Sequence, residues 1–202
     1  MVLSNAQQLI PAEEVRAALS EVLAPCEPSA ASVWIDAFDS PVGTLIAGAS
    51  STSLCLLEFA DRSSVDRRLE ALRKRYLGRG AVGANVVLQS TQAQLREYFA
   101  GARRTFDVPL EYAGTAFQQQ VWAALLTIPF GRTWSYLDVA ERIGDPGATR
   151  AVGMANNANP IAILIPCHRV INAGGELGGY GGGLWRKRML LDLEVGQAQL
   201  AL

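Results

Sequence analysis

The spacing of apolar side chains first predicts a short amphipathic helix over residues 11–23. Val15 and Leu19 fall on one stripe of this helix, as expected of a helix that packs one face against a core. The next residues, 25–32, are mostly small or polar and include proline, which is typical of a linker. We therefore interpret residues 1–30 as an N-terminal extension.

Alternation of apolar and polar residues then predicts strands between residues 32 and 59. The tetrapeptide Ser40-Pro41-Val42-Gly43 interrupts the alternation with a turn signal, so we expect antiparallel strands around it. Two stretches with helical spacing and one short closing strand follow, at residues 64–76, 91–99 and 106–110. These elements predict a small α+β domain over residues 31–112, in which no catalytic group of residues is visible.

The predicted helix at residues 64–76 carries an unusual number of basic side chains. They are Arg67, Arg68, Arg73, Lys74 and Arg75. A basic run on a helix is most often a solvated face. We therefore predict no phosphate site on this helix.

Capping signals define the helices that follow residue 113. Thr115 and Gln118 have the spacing of a capping box, and the helix that they open is expected to end before Pro129. Ser135 and Asp138 repeat the same signal at the start of a second helix. The sequence therefore predicts a mostly helical domain over residues 113–202.

A tight turn joins the second of these helices to a third. Gly144 is expected to end the second helix, and Asp145 to cap a third that has Pro146 at its first position and runs to about Asn157. Two short helices joined in this way are typical of a helix-turn-helix. Any helical hairpin has the same spacing, so the pattern leaves both interpretations open.

The charge of the chain neither requires nor excludes a nucleic acid partner. The 202 residues carry a formal net charge of -1, divided as -2 over residues 1–113 and +1 over residues 114–202. Neither half is a basic arm of the kind that binds phosphates through bulk charge. Any DNA binding must therefore depend on locally arranged contacts, with a shallow dependence on salt.

Cysteine and histidine usage limits the chemistry. Cys26, Cys55 and Cys167 are too few and too widely spaced for a disulfide framework, and His168 is the only histidine. We expect no metal and no cofactor, because a zinc site would lack ligands. No stretch of eighteen apolar residues and no basic leader followed by an apolar segment is present. We therefore expect a cytoplasmic protein that does not bind membranes.

The strongest chemical signal is the dipeptide Cys167-His168. It follows the apolar run Ile161 to Ile165, which we interpret as a buried strand that delivers the thiol to a cleft. A free thiol is mostly protonated at neutral pH, so it needs a base or a positive field to react. Neighbouring residues of a strand point to opposite sides, so we expect a water molecule to bridge the imidazole and the thiol.

The sequence around this dipeptide resembles the O6-alkylguanine-DNA alkyltransferases. The resemblance rests on Pro166-Cys167-His168-Arg169-Val170, preceded by Arg150-Ala151-Val152-Gly153 and Asn159-Pro160 and followed by Gly179-Tyr180. It is close over residues 115–194 and weak before them. It implies a ribonuclease-H-like α/β domain followed by a winged helix-turn-helix-like alkyltransferase domain. It also implies stoichiometric DNA repair, in which the alkyl group of O6-methylguanine passes irreversibly to Cys167.

The resemblance assigns roles in the reaction to five residues. Cys167 is the nucleophile, and a relay from Glu194 through His168 and water takes its proton. Tyr136 assists the departing guanine by donating a hydrogen bond or a proton. Asn159 is a hinge that ties the helix-turn-helix to the active-site strand through hydrogen bonds to the backbone.

The resemblance also implies how damaged DNA is held. The partner is double-stranded DNA containing O6-alkylguanine, bound by a monomer through the minor groove with the damaged base rotated out of the stack. Arg150 takes the place of the rotated nucleotide, beside small residues of the same helix such as Ala151. Tyr180 forms a wall of the base pocket, and backbone groups of Cys167, Val170 and Gly181 contact the guanine. Lys187 supports the relay region.

The helix that carries Arg150 has the side chains for such an approach. We expect its exposed face to offer small residues and one cation: Gly147, Ala148, Ala151 and Ala155 with Arg150. Gly181 and Asn157 depart from the family pattern, which often has serine or another side chain at the first position and a basic residue near the second. The size of the accepted adduct is therefore open.

Two other functions fit parts of the same sequence. One is a non-catalytic, alkyltransferase-like protein that binds lesions without a nucleophile, and the presence of Cys167 counts against it. The other is a thiol hydrolase or a regulatory helix-turn-helix module.

Overall fold

The computed structural model describes residues 10–22 and 31–199, and it confirms the α+β class. In these residues four strands form one sheet in the order β3-β2-β1-β4: β1 (Val33–Phe38), β2 (Leu45–Ala49), β3 (Leu54–Phe59) and β4 (Gly80–Val82). The first three are antiparallel, as predicted, and β4 pairs with β1 in parallel. Gly43, at φ 94°, completes the predicted turn between β1 and β2.

Three helices pack around this sheet. They are α1 (Ala12–Val22), α2 (Val65–Arg75) and α3 (Val86–Phe99). Val15 and Leu19 of α1 are buried with Leu69 and Leu72 of α2 in one hydrophobic cluster, as their spacing predicts. The predicted helix at residues 91–99 starts too late. Asn85 accepts a hydrogen bond from the amide of Leu88 and caps α3, which therefore begins at Val86.

Four helices and a two-stranded parallel sheet make up the rest of the described chain. The helices are α4 (Ala116–Leu125), α5 (Tyr136–Arg142), α6 (Thr149–Ala158) and α7 (Leu184–Gln199), and the strands are β5 (Trp134–Ser135) and β6 (Val170–Ile171). Both predicted capping boxes are present, at Thr115 with Gln118 and at Ser135 with Asp138. Helices α5 and α6 pack together on either side of Gly144, whose φ is 81°. They form the predicted helix-turn-helix.

Three local predictions were wrong. Residues 106–110 form no strand and contribute only an isolated bridge between Leu110 and Leu54. Asp145 makes no side-chain cap, because Pro146–Ala148 form a separate 3-10 turn and α6 begins at Thr149. Residues 161–165 are tight turns with one bridge from Ile161 to Leu57. An apolar run without a period cannot distinguish a buried strand from other buried backbone.

One continuous hydrophobic core extends across the two predicted domains. It includes Leu45 and Leu57 of the sheet, Tyr98 of α3, Trp122 of α4 and Val152 of α6. The turns at residues 161–165 pack in the same core and bond to the backbone of Leu57. The helix-turn-helix is therefore held against the N-terminal sheet. The division of the chain at residue 112 stays a prediction. Among the described residues, no helix has the length and apolar character needed to cross a membrane.

Candidate active site

The predicted nucleophile lies at a cavity between the helix-turn-helix and the glycine-rich loop, residues 174–183. The cavity has a volume of about 340 Å³. Its lining residues are Tyr136, Gly153, Asn156, Asn157, Cys167, Gly179, Tyr180 and Gly181. The side of α6 that carries Gly153, Asn156 and Asn157 therefore faces the thiol across a space large enough for a small aromatic ligand.

Cys167 begins a single 3-10 turn, Cys167–Arg169, and is 8% exposed. Asn159 donates a hydrogen bond from Nδ2 to its sulfur over 3.1 Å and another to the carbonyl oxygen of Ile165 over 2.8 Å. Burial raises the pKa of Cys167, and the bond from Asn159 opposes that shift only in part. The thiol is therefore protonated at neutral pH.

His168, the residue after the nucleophile, pairs with Glu194. The imidazole Nε2 is 2.9 Å from Oε1 of Glu194, and both side chains are fully buried. The other ring nitrogen, Nδ1, has no hydrogen-bond partner in the part of the chain that the structure describes. A buried nitrogen of this kind normally has a partner. It is the atom through which the ring can exchange a proton with a water molecule near Cys167.

Three residues besides His168 donate hydrogen bonds to the carboxylate of Glu194. Arg169 donates to both of its carboxylate oxygens at 2.8 and 3.0 Å, the hydroxyl of Tyr98 donates at 2.8 Å, and the amide of Gly131 donates at 3.1 Å. Burial alone would raise the pKa of Glu194, but His168 and Arg169 outweigh it and hold that pKa well below its ordinary value. The carboxylate is therefore ionised at neutral pH.

For His168, in contrast, the effect of burial on the pKa is larger than the effect of its charged neighbours. Burial lowers the pKa of His168, and the hydrogen bond with Glu194 offsets this only in part. Because the pKa of Cys167 is raised and that of His168 is lowered, both groups are neutral in the resting protein. Cys167 and His168 are therefore a neutral thiol and a neutral imidazole, not a thiolate and an imidazolium.

Two models of one known family match most of this chain. A profile described as the 6-O-methylguanine DNA methyltransferase DNA binding domain matches residues 116–196, and the profile of the ribonuclease-like domain of the same enzymes matches residues 35–112. A methylated-DNA--protein-cysteine methyltransferase of Mycobacterium leprae is 49% identical over 164 residues, which are 81% of this chain and 93% of that protein.

The chain belongs to the 6-O-methylguanine DNA methyltransferase family. A second relative, the inducible methylated-DNA--protein-cysteine methyltransferase of Bacillus subtilis, is 48% identical over 64% of this chain and 73% of its own. Among solved structures, Mycobacterium tuberculosis OGT in complex with DNA superimposes with a TM-score of 0.70 at 46% identity. That match covers 82% of this chain and 93% of the other.

Two tyrosines, Tyr136 and Tyr180, line the cavity. The hydroxyl of Tyr136 lies 3.4 Å from the carbonyl oxygen of Gly179, and burial raises its pKa. Burial also raises the pKa of Tyr180 well above its ordinary value, and its hydroxyl has no partner among the described residues. Both phenols therefore keep their protons at neutral pH and can donate a hydrogen bond into the cavity.

Lys187 fixes the loop that closes the cavity. Its ammonium group donates to the carbonyl oxygens of Val170 at 2.6 Å, of Gly179 at 3.4 Å and of Leu177. Burial lowers the pKa of Lys187 to about 8. Val170 is fully buried and does not line the cavity. Its carbonyl accepts from Lys187, and its amide donates to the carbonyl of Cys167.

The structure agrees only in part with the exposed face predicted for the helix that carries Arg150. Arg150 is exposed, Ala151 is half-buried beside it, and neither lines the cavity. Gly147 and Ala148 are accessible but precede α6. Ala155 is 1% exposed, so the expectation that it lies on this face was wrong. Its carbonyl accepts a hydrogen bond from the indole of Trp122, which turns that side of α6 into the core.

Sequence reasoning assigned no role in the cavity or the relay to several residues of the site. Gly153, Asn156 and Asn157 follow the i, i+3, i+4 spacing of one helix face, and that signal could have found them. Tyr98 and Arg169, which hold Glu194, gave no comparable signal because the partners are distant in sequence. Among the described residues, no group of three histidine, cysteine or acidic side chains could hold a metal ion.

Proposed function

We propose that this protein repairs DNA by transferring the alkyl group of O6-alkylguanine to the sulfur of Cys167. The observation that carries the proposal is the position of that sulfur. Cys167 lines a cavity of about 340 Å³, and the next residue is a buried histidine that pairs with a buried carboxylate. The reaction is a single displacement at the alkyl carbon, for which a thiolate is the appropriate nucleophile.

The proton of the thiol leaves first. A water molecule carries it from Cys167 to Nδ1 of His168, the ring nitrogen that faces away from Glu194. The negative carboxylate of Glu194 stabilises the imidazolium and fixes the orientation of the ring, as the acidic residue of a hydrolase triad does. Asn159 donates to the sulfur and stabilises the thiolate as it forms.

The carbon–sulfur bond then forms as the carbon–oxygen bond breaks. The electron pair of that bond passes to the purine, whose developing negative charge accepts a hydrogen bond from Tyr136. Because burial raises the pKa of Tyr136, the phenol is protonated when the base arrives. The proton that left Cys167 finally returns to the guanine, so the products are neutral guanine and a thioether.

The product explains why each molecule acts once. A hydrolase forms a thioester, whose carbonyl carbon water can attack with the help of an oxyanion hole. A thioether has no such carbonyl, so nothing in the site can release the alkyl group. The reaction is stoichiometric in protein.

The helix-turn-helix presents the damaged base to this site. Helix α6 enters the minor groove, and the exposed Arg150 fills the space of the nucleotide that rotates into the cavity. Ala151, beside it, permits close approach of the helix to the groove. Tyr180 stacks beside the base, and backbone groups of Cys167, Val170 and Gly181 contact its edge. A reactive free thiol of this kind is compatible with the reducing cytoplasm.

Transfer of label distinguishes this function from a lesion-binding one. The protein is incubated with duplex DNA that carries radiolabelled O6-methylguanine, and label bound to protein is counted. Repair predicts at most one equivalent of label, abolished in Cys167→Ala. Binding of the duplex without transfer would indicate a non-catalytic lesion-binding protein instead.

A further inference from the structure

A buried carboxylate in the N-terminal sheet holds two arginines that reach into the C-terminal half. Glu58 of β3 is fully buried, and its Oε2 lies 2.6 Å from Nη1 of Arg62 and 2.9 Å from Nε of Arg68. The two arginine side chains are 11% and 14% exposed. A buried charge pair of this kind holds its members in one geometry, because removing either partner leaves a buried charge unpaired. Arg68 was therefore wrongly assigned to a solvated helix face.

The side chains of both arginines hydrogen-bond to the last turn of α6. Nη2 of Arg62 donates to the backbone carbonyl of Asn157 at 2.7 Å and to its side-chain oxygen at 2.9 Å. Arg68 donates to the same carbonyl at 3.1 Å and to that of Ala158 at 3.2 Å. The final carbonyls of a helix have no partner within the helix and carry its negative dipole end, so two cations stabilise them.

The guanidinium of Arg62 also occupies the space into which a side chain at position 181 would extend. Gly181 has no Cβ, and a Cβ built on its backbone would overlap Nη2 of Arg62 and lie 2.5 Å from its Cζ and 2.8 Å from Oδ1 of Asn157. A substitution at Gly181 would therefore have to displace a side chain that Glu58 and Asn157 hold in place. Arg62 supplies, from the N-terminal sheet, the bulk that the glycine-rich loop lacks at this point.

This contact lies between two cavities. The cavity at Cys167, of about 340 Å³, and a neighbouring cavity of about 420 Å³ share Asn157 and Gly181 in their linings. Arg62 lines the second cavity and touches both shared residues. The guanidinium is thus part of the partition between the two cavities.

We propose that Arg62 is a specificity-determining residue that limits the size of the O6 adduct by closing the wall of the base pocket at Asn157 and Gly181. The inference rests on the proposed alkyl transfer. Shortening this side chain joins the pocket to the neighbouring cavity and admits larger adducts. Among the described residues, Arg62 hydrogen-bonds to Glu58 and Asn157 and not to the sulfur or the relay. Its charge lowers the pKa of Cys167, but that effect is the same for every adduct, so a ratio of rates isolates the effect on which adduct fits.

The test compares two substrates under single-turnover conditions. Rate constants are measured with duplexes carrying O6-methylguanine or O6-benzylguanine, and the ratio of the benzyl to the methyl rate is the readout. Arg62→Ala is expected to raise this ratio about tenfold, the discrimination that one methylene-sized contact provides in a pocket. Arg67→Ala is the matched control, because Arg67 is an exposed arginine of the same cleft, and it is expected to leave the ratio unchanged.

A second substitution tests the position of the wall. Adding Gly181→Ser to Arg62→Ala restores a side chain at the vacated place, so the ratio is expected to fall back towards that of the wild type. If Arg62→Ala does not fold, Arg62→Gln removes the guanidinium while Arg68 still pairs with Glu58, and the same rise is expected.

The outcomes separate this inference from the proposed function. A wild-type protein that transfers both adducts, with an unchanged ratio in the folded Arg62 variants, would overturn the inference alone. Equal slowing with both duplexes would also overturn it, since that result is expected if Arg62 only supports α6. A wild-type protein that transfers neither adduct would overturn the proposed function together with the inference.

Discussion

The Nδ2 atom of Asn159 lies 3.1 Å from the sulfur of Cys167 and donates a hydrogen bond to it. The same amide bonds to the carbonyl of Ile165, and its oxygen accepts from the amide of Ile161. A single side chain, 2% exposed, therefore links the end of α6 to the turn that carries the nucleophile. It is also the group that most directly opposes the effect of burial on the pKa of the thiol.

Replacing this amide by a carboxylate should slow alkyl transfer. Asn159→Asp keeps the bond to Ile161 but loses the donor to sulfur and adds a negative charge beside it, so the pKa of Cys167 rises further. A rise of one unit lowers the thiolate fraction at neutral pH, and hence the rate, about tenfold. The measurement is the rate with free O6-benzylguanine as a function of pH.

The control is Asn85→Asp, which makes the same chemical change at the N-cap of α3, away from the cavity. Its pH profile should match that of the wild type. An unchanged profile in Asn159→Asp would show that the hydrogen bond does not tune the thiol.

Tyr136→Phe should reduce the rate without unfolding the protein. The phenol is half-buried, and its only hydrogen bond recorded in the described residues is a long one to Gly179, so removing it costs little stability. Loss of a proton-donating group at the leaving purine is expected to lower the transfer rate by about a hundredfold. Single-turnover kinetics and thermal denaturation of both proteins check the two halves of this prediction. A large drop in melting temperature with normal transfer would assign Tyr136 to packing instead.

Glu194→Gln should destabilise the fold strongly at neutral pH. The substitution leaves Arg169, whose side chain is 9% exposed, as a buried cation without its carboxylate. Removing one partner of a buried ion pair costs about 3–5 kcal/mol in the free energy of unfolding. Urea denaturation at pH 7 measures the loss. Glu97→Gln, at the exposed ion pair with Arg103, is the control and should show no measurable change.

Glu194 should also make the stability of the folded protein depend on pH. The pKa of Glu194 is lower in the folded protein than its ordinary value of 4.5, so between these values the unfolded chain binds more protons. Its contribution to stability is therefore complete above pH 4.5 and is lost as the pH falls towards the folded value. Wild-type stability should decline with acidification below pH 4.5 more steeply than that of Glu194→Gln. Parallel curves would contradict the lowered pKa.

Arg150→Ala should distinguish the rotation of the damaged base out of the duplex from the alkyl transfer itself. Because Arg150 is exposed on α6 and does not line the cavity, its loss should slow reaction with O6-methylguanine in duplex DNA far more than reaction with free O6-benzylguanine. Arg142→Ala, at the end of α5, provides a comparison with another exposed arginine of the helix-turn-helix. Equal losses on both substrates would remove the nucleotide-replacing role from Arg150.

Local sequence signals predicted the parts of the fold that depend on neighbouring residues. Thr115 and Ser135 cap their helices as expected, because a capping box needs only residues three positions apart. Strand β4 was not predicted, since three residues are too few for an alternation to show. The expected cap at Asp145 failed because Pro146–Ala148 form their own turn.

The site was predictable where a motif was contiguous and unpredictable where it depends on distant contacts. Cys167 and His168 stand out in the sequence as the one thiol next to the one histidine. The ion pair of Glu58 with Arg62 and its contact with Asn157 join segments that are almost a hundred residues apart. No periodicity of either segment indicates that such residues will meet. The burial of Ala155 likewise follows from the position of Trp122 rather than from its own helix.

The central claim is that the sulfur of Cys167 receives the alkyl group and keeps it. Intact-protein and peptide mass spectrometry, after incubation with excess duplex containing O6-methylguanine, tests this most directly. The peptide containing Cys167 is expected to gain the mass of one CH2 unit in full, while Cys55 stays unmodified and a second exposure adds nothing. An unmodified Cys167 in protein recovered from a duplex whose lesion has disappeared would contradict it.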